Sequence, residues 1–149
     1  MKLKELCVLE VACCRPDTTI AEAARLMRLH HTGDLIVTDE SDGTRDPVGI
    51  VTDRDIVMEV IAKGRDIDQT RVNEVMAKPV VIASGSESVS IAIDRMRTHG
   101  VRRLPIVDDG GTVLGIITLD DLYRVLAEHT AALAAIVSKE QTREQRSRR

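Results

Sequence analysis

Two rhythms of apolar and polar positions alternate along the chain, and the same succession occurs twice. Val8 to Cys14 is a short apolar segment closed by Arg15-Pro16-Asp17, as expected of a strand entering a turn. Ile20, Ala23, Ala24 and Met27 then recur at i, i+3, i+4 and i+7, one stripe of an amphipathic helix, and Thr19 stands three residues before Glu22 at a helix-capping spacing. Leu35-Ile36-Val37 and Val48 to Val51 read as strands on either side of the polar turn Glu40 to Asp46. Ile56, Val57, Val60 and Ile61 form the stripe of a second helix, which Gly64 stops. The second succession has a helix stripe at Val89, Ala92, Ile93 and Met96, strands at Leu104 to Val107 and Val113 to Ile117, and a last helix whose apolar positions run from Leu122 to Val137. Pro105 has no N–H for a ladder, which predicts a strand start or a sheet edge.

The two successions share residues as well as pattern. A shift of 66 carries Gly49, Ile50, Thr52 and Asp55 onto Gly115, Ile116, Thr118 and Asp121. Upstream a shift of 69 carries Glu5, Val11, Ala23, Met27, His30 and Leu35 onto Glu74, Val80, Ala92, Met96, His99 and Leu104. The difference is a longer turn in the first copy. Each copy is of a size at which a single core is marginal, so the two are expected to share one and to be molten when cut apart at residues 68 and 69.

Composition narrows the function. The chain has no Phe or Trp and one Tyr, so its core is aliphatic and it offers no stacking platform for single-stranded nucleic acid. Residues 138–149 carry five basic and two acidic side chains, which leaves the rest more acidic than the net −3; such a body is not expected to bind nucleic acid, and the tail is expected to be a solvated helix end. The three cysteines, Cys7, Cys13 and Cys14, lack metal-site spacing and read as small buried apolar residues. His30 and His99 hold equivalent places after the first helices and read as helix-end groups. No Ser-His-Asp, Cys-His or His-Glu-x-x-His set is visible, so the chain is not expected to be an enzyme and no catalytic or metal residue is assigned. With no apolar run of signal-peptide or membrane-spanning length, a cytoplasmic protein is expected.

The motifs Gly49-Ile50-Val51-Thr52-Asp53-Arg54-Asp55, Gly115-Ile116-Ile117-Thr118-Leu119-Asp120-Asp121 and Val101-Arg102-Arg103-Leu104-Pro105-Ile106-Val107-Asp108, in this order of elements, resemble a tandem pair of CBS domains, the module named after cystathionine β-synthase. The resemblance implies an α+β fold of two β-α-β-β-α repeats packed with pseudo-two-fold symmetry. It places one repeat at residues 3–66, the second at 69–130, and a C-terminal helix extension with a basic tail at 131–149. It further implies a regulatory module without a required cofactor, paired as a homodimer, which binds AMP, ADP, ATP or S-adenosylmethionine between the repeats and signals to a regulated protein through altered packing. The alternative is a ligand-free dimeric interaction or stress-associated scaffold.

By the same resemblance Asp55 and Asp121 would hold ribose hydroxyls, Thr52 and Thr118 would lie by the ribose and phosphate, and Arg103, with Arg102 and Arg54, would neutralise phosphate. Val81 and Ile82, like Ala12 and Cys13, would edge the base with free backbone amides and carbonyls. The spacing Thr-x-x-Asp has a second meaning, the hydroxyl cap and first-turn acid of any helix, and both remain open at this point. Arg102-Arg103 stands where the first copy has Gly33-Asp34, so phosphate is expected to favour the second site, and Asp121 to matter more than Asp55.

Overall fold

The computed structural model describes residues 1–148. Its helices are α1 (Leu3–Leu6), α2 (Ile20–His30), α3 (Asp53–Ile56), α4 (Val89–His99) and α5 (Leu119–Ser147); its strands are β1 (Cys13–Cys14), β2 (Asp34–Asp39), β3 (Asp46–Thr52), β4 (Ala83–Ser84), β5 (Arg103–Val107) and β6 (Val113–Thr118). The chain divides into two compact units, Met1–Ile117 and Thr118–Arg149. Each copy builds a three-stranded sheet, β1-β2-β3 or β4-β5-β6. β1 runs parallel to β2 with Cys14 opposite Val37, and β4 parallel to β5 with Ala83 opposite Ile106, so both registers agree at a shift of 69.

The sequence pattern explains these elements locally. Thr19 Oγ1 accepts the Glu22 N–H at 3.2 Å and starts α2. Both first helices end in a left-handed residue, His31 at φ 50° and its equivalent Gly100 at φ 64°. The buried stripes are narrower than the periodicity suggests: Ile20, Ala23 and Met27 in α2, Ala92 and Met96 in α4 are buried, whereas Ala24 and Ile93 face outward and Ala21 turns in. After Ile56 the helix widens into a π-helical turn, Val57–Ile61, with the Ala62 N–H reaching the Val57 carbonyl at 2.9 Å. Of the expected stripe, Ile56 and Val60 are buried, while Val57 and Ile61, one position further around the helix, are exposed.

The leading segments of the copies change places. Lys2 bridges Ser88 and Val8 bridges Ile116; Arg71 bridges Thr19 and Ala77 bridges Ile50. Each bond has its counterpart. The Leu3 N–H reaches the Glu87 carbonyl and the Val72 N–H reaches that of Thr18, at 2.9 and 2.8 Å. Val72, Val75 and Met76 thus complete the core of the first copy, around Leu35, Val37, Val51 and Val60. A smaller cluster joins Ile36, Val11 and Cys13 of the first copy to Val113 and Ile116 of the second. The shared interior is built from this exchange.

The exchange accounts for the motif glycines. A Cβ on Gly115 would lie 2.5 Å from the Val8 carbonyl oxygen, and one on Gly49 would lie 2.6 Å from Met76 Sδ and 3.1 Å from the Ala77 oxygen. Glycine inside a strand here admits the backbone of the other copy. Pro105 lies in the middle strand of its sheet, contrary to the edge expected for it. Its equivalent, Ile36, lies opposite Cys13 and donates to the Ala12 carbonyl at 3.1 Å; Pro105 cannot make that bond, and the pairing of β4 with β5 begins one residue later, at Ala83 opposite Ile106.

The second unit is α5 itself, entered through the capped turn at Thr118. Tyr123, Leu126, Leu133, Ile136 and Val137 on it are exposed. Among the described residues no helix is long and apolar enough to cross a membrane.

Candidate functional site

Both motif turns are realised as reciprocal caps. Thr52 Oγ1 accepts the Asp55 N–H at 3.1 Å while Asp55 Oδ2 accepts the Thr52 N–H at 2.9 Å. At the second turn the Asp121 N–H reaches Thr118 Oγ1 at 3.3 Å, and Asp121 Oδ2 accepts from both the N–H and the hydroxyl of Thr118, at 2.9 and 2.8 Å. The remaining oxygens differ. Asp121 Oδ1 takes the Arg124 guanidinium at 3.0 Å, whereas Asp55 Oδ1 has no partner among the described residues. A capping carboxylate keeps lone pairs to spare, so capping and accepting a ligand hydroxyl are compatible roles.

Beside the first turn lies a cavity of about 510 Å³ lined by Val8, Glu10, Val11, Ala12, His30, Thr32, Asp34 and, from the second copy, Ile116. That volume is in the range of small-molecule sites. Asp34 is the sheet partner of Thr52, which brings the cavity wall next to the capped turn, and the Asp53 N–H closes the corner on the Gly33 carbonyl at 2.9 Å. Asp34 Oδ1 accepts from Thr32 Oγ1 at 3.3 Å, and its Oδ2 is ion-paired with Arg103. Positions 34 and 103 are equivalent under the repeat, so this pair joins the two copies across their symmetry relation. Arg103 is therefore engaged with Asp34, while Arg54 and Arg102 are exposed and without an ion-pair partner among the described residues.

The backbone expected to edge a base is only partly free. The Ala12 carbonyl accepts from Ile36, and the Ile82 carbonyl accepts from Arg95 Nη1 at 2.8 Å. Val81 is different, because the residue equivalent to Ile36 is Pro105 and supplies no N–H. Arg95 also grips Glu87 through two bonds of 2.8 Å, and Glu87 accepts the Ser84 N–H at 2.8 Å. These contacts, the Arg95 guanidinium first, hold the Glu87 carboxyl below its ordinary range. In the first copy Thr18 takes the place of Glu87 and receives the Arg15 N–H at 3.0 Å. Nothing in the sequence pairs Glu87 with Arg95, because a spacing of eight residues is not a helical contact.

The cysteines divide by burial. Cys14 is pushed up to about 12, chiefly by burial with Cys13 adding to it, and burial also raises Cys7. Cys13 is half-buried and its Sγ receives Arg45 Nη2 at 2.8 Å. His99 Nδ1 lies 2.9 Å from the Arg95 carbonyl at the end of α4, whereas His30 lines the cavity.

The structure thus defines a class: two copies of one α+β unit with exchanged leading segments, capped acidic turns and a cavity lined by both copies. The CBS domain profile matches residues 3–62 and 72–128, and the chain belongs to the CBS domain family. Among its relatives, the CBS domain-containing protein YhcV of Bacillus subtilis is 41% identical over 120 residues, which cover 80% of this chain and 81% of that protein. An uncharacterised protein of Methanopyrus kandleri is 37% identical over 110 residues, covering 74% of this chain but 55% of its own length. The chain thus spans about half of that relative. A solved structure of the CBS domain pair of protein MJ0100, in complex with 5-methylthioadenosine and S-adenosyl-L-methionine, is similar at a TM-score of 0.75 and 26% identity, over 87% of this chain and 98% of that one.

Proposed function

We propose that this CBS pair is a regulatory module that binds an adenosine-containing ligand and reports its occupancy through the packing of the two copies. The observation that carries the proposal is the cavity beside the Thr52–Asp55 turn, walled by Ala12, Thr32 and Asp34 of one copy and Ile116 of the other. A ligand seated there touches both copies and stabilises their contact. The likeness to a CBS pair that holds 5-methylthioadenosine and S-adenosyl-L-methionine supports the ligand class.

In this proposal Asp55 accepts ribose hydroxyls through its unbonded Oδ1, with Thr52 beside it; Thr118 and Asp121 are the corresponding groups of the second copy, where Arg124 competes for the acceptor. Val81 and Ile82 keep the base edge of that copy, with the Val81 carbonyl as the acceptor that Pro105 leaves without an N–H. A phosphate that uses Arg103 takes it from Asp34 and otherwise has only the exposed Arg54 and Arg102, whereas an adenosine carrying a neutral or cationic 5′ group leaves the pair intact. Non-phosphorylated ligands are therefore favoured over AMP, ADP and ATP. A thermal-shift screen with AMP, ADP, ATP, S-adenosylmethionine and 5-methylthioadenosine tests the proposal. Ligand at 100 times its dissociation constant stabilises by about 2.7 kcal/mol, and Asp55→Ala should abolish the shift. If none of the five moves the midpoint, the adenosine assignment is lost.

A further inference from the structure

Tyr123, Leu126, Thr130, Leu133 and Val137 follow one another along α5 at alternating spacings of three and four residues, the period of a helix-pairing seam. All five are exposed, Leu126 and Leu133 by 62% and 65%. Ala127 and Ala134 flank the seam and allow a second helix to approach closely. A solvated helix end has no need of this row, and an apolar row of this length on a helix surface marks a contact.

We propose that α5 pairs with α5 of a second copy of this chain in antiparallel orientation, with Leu126 of each opposite Val137 of the other and Thr130 opposite Leu133. Charge selects both the occupant and the orientation. The start of the helix carries Asp120, Asp121 and Glu128 against one Arg124; its far end, Lys139 to Arg148, carries four basic residues against Glu140 and Glu144. An antiparallel copy lays each acidic start along a basic end. A parallel copy would set like against like, which disfavours it. Asp120, Lys139 and Arg143 have no ion-pair partner within their own chain among the described residues, so they are free to serve the second helix. The pairing does not depend on whether a nucleoside binds.

The test uses the full chain. Light scattering on the unmutated protein should give at least twice the chain mass. Leu126→Glu with Leu133→Glu should raise the dissociation constant by about 100-fold or more, with circular dichroism unchanged because both positions are solvated in the single chain. A spin label introduced as an unnatural amino acid reads the orientation. At Thr130 the two labels should be close. At Glu144 they should be separated by about 38 Å along the axis, at 1.5 Å per residue from the centre of the pair. Short distances at both positions mean a parallel pair and overturn the proposal. An unchanged mass in the double variant overturns it too, as does a monomeric parent, whether or not its helix carries it onto anionic vesicles.

Discussion

Replacing Gly115 by alanine puts one methyl group where the other copy's backbone already lies. The new Cβ would stand 2.5 Å from the Val8 carbonyl oxygen and 3.0 Å from Cys7 Sγ. The strand and the leading segment must therefore separate by roughly 0.7 Å to restore ordinary contact. Two hydrogen bonds span that gap, from the Val8 N–H to the Ile116 carbonyl at 3.0 Å and from the Ile116 N–H to the Val8 carbonyl at 3.2 Å. Weakening both removes about 1–2 kcal/mol, and overpacking adds about 1–3 kcal/mol, so a total near 3 kcal/mol is expected. In a chain of this size that lowers the melting midpoint by about 10 °C. Gly49→Ala is the internal comparison. Its nearest obstacle is the flexible Met76 side chain, with the Ala77 oxygen further off at 3.1 Å, and about 1–2 kcal/mol is expected. Urea titration followed by circular dichroism measures both. A loss from Gly115→Ala below that from Gly49→Ala would refute the account of the motif glycine as a port for the exchanged backbone.

The other predictions concern charge, turn and thiols. Glu87→Gln should cost about 1–2 kcal/mol at neutral pH. Because the folded carboxyl is held below its ordinary range, this contribution is full above about pH 4.3 and fades as pH falls through the lowered value. Acid titration of the two proteins should show the gap closing, and a gap independent of pH would remove the ion pair as its cause. His31→Gly should stabilise by about 0.5–1 kcal/mol, since a left-handed cap suits glycine as Gly100 shows; a neutral or destabilising result in urea would contradict that. Burial pushes the Cys14 thiol up to about 12 and shields it, whereas Cys13 is half-buried, so at pH 8 iodoacetamide should label Cys13 well before Cys14, as peptide mass analysis would show. Equal rates would mean that Cys14 is not buried in solution.

Local features were legible because they are short-range. The Thr19, Thr52 and Thr118 caps, the Gly64 stop and strands β2, β3, β5 and β6 each follow from residues within one turn or one strand of each other. The exchange of leading segments was not, since Val8 meets Ile116 across more than a hundred residues and nothing in either stretch names the other. One signal for it was present in Gly49 and Gly115, which stand inside strands where a side chain would ordinarily pack. The expected phosphate site rests on Arg102-Arg103 standing where the first copy has Gly33-Asp34, a comparison that does not say which residues face each other. Asp34 occupies the same place in the other copy, and equivalent residues near a two-fold relation meet each other, so opposite charges there predict a pair.

The reciprocal bridges have the form of contacts between two separate molecules related by a two-fold axis: where Lys2 meets Ser88, its equivalent Arg71 meets Thr19, and where Val8 meets Ile116, Ala77 meets Ile50. Each copy offers the other the same set of groups, so the tandem chain is in effect a tethered dimer of half-proteins. The stretch that joins the halves is itself fastened to the start of α2, by the Ile20 N–H on the Thr70 carbonyl and the Ala21 N–H on the Ile67 carbonyl, at 3.0 Å each, so it holds one half at high local concentration about the other.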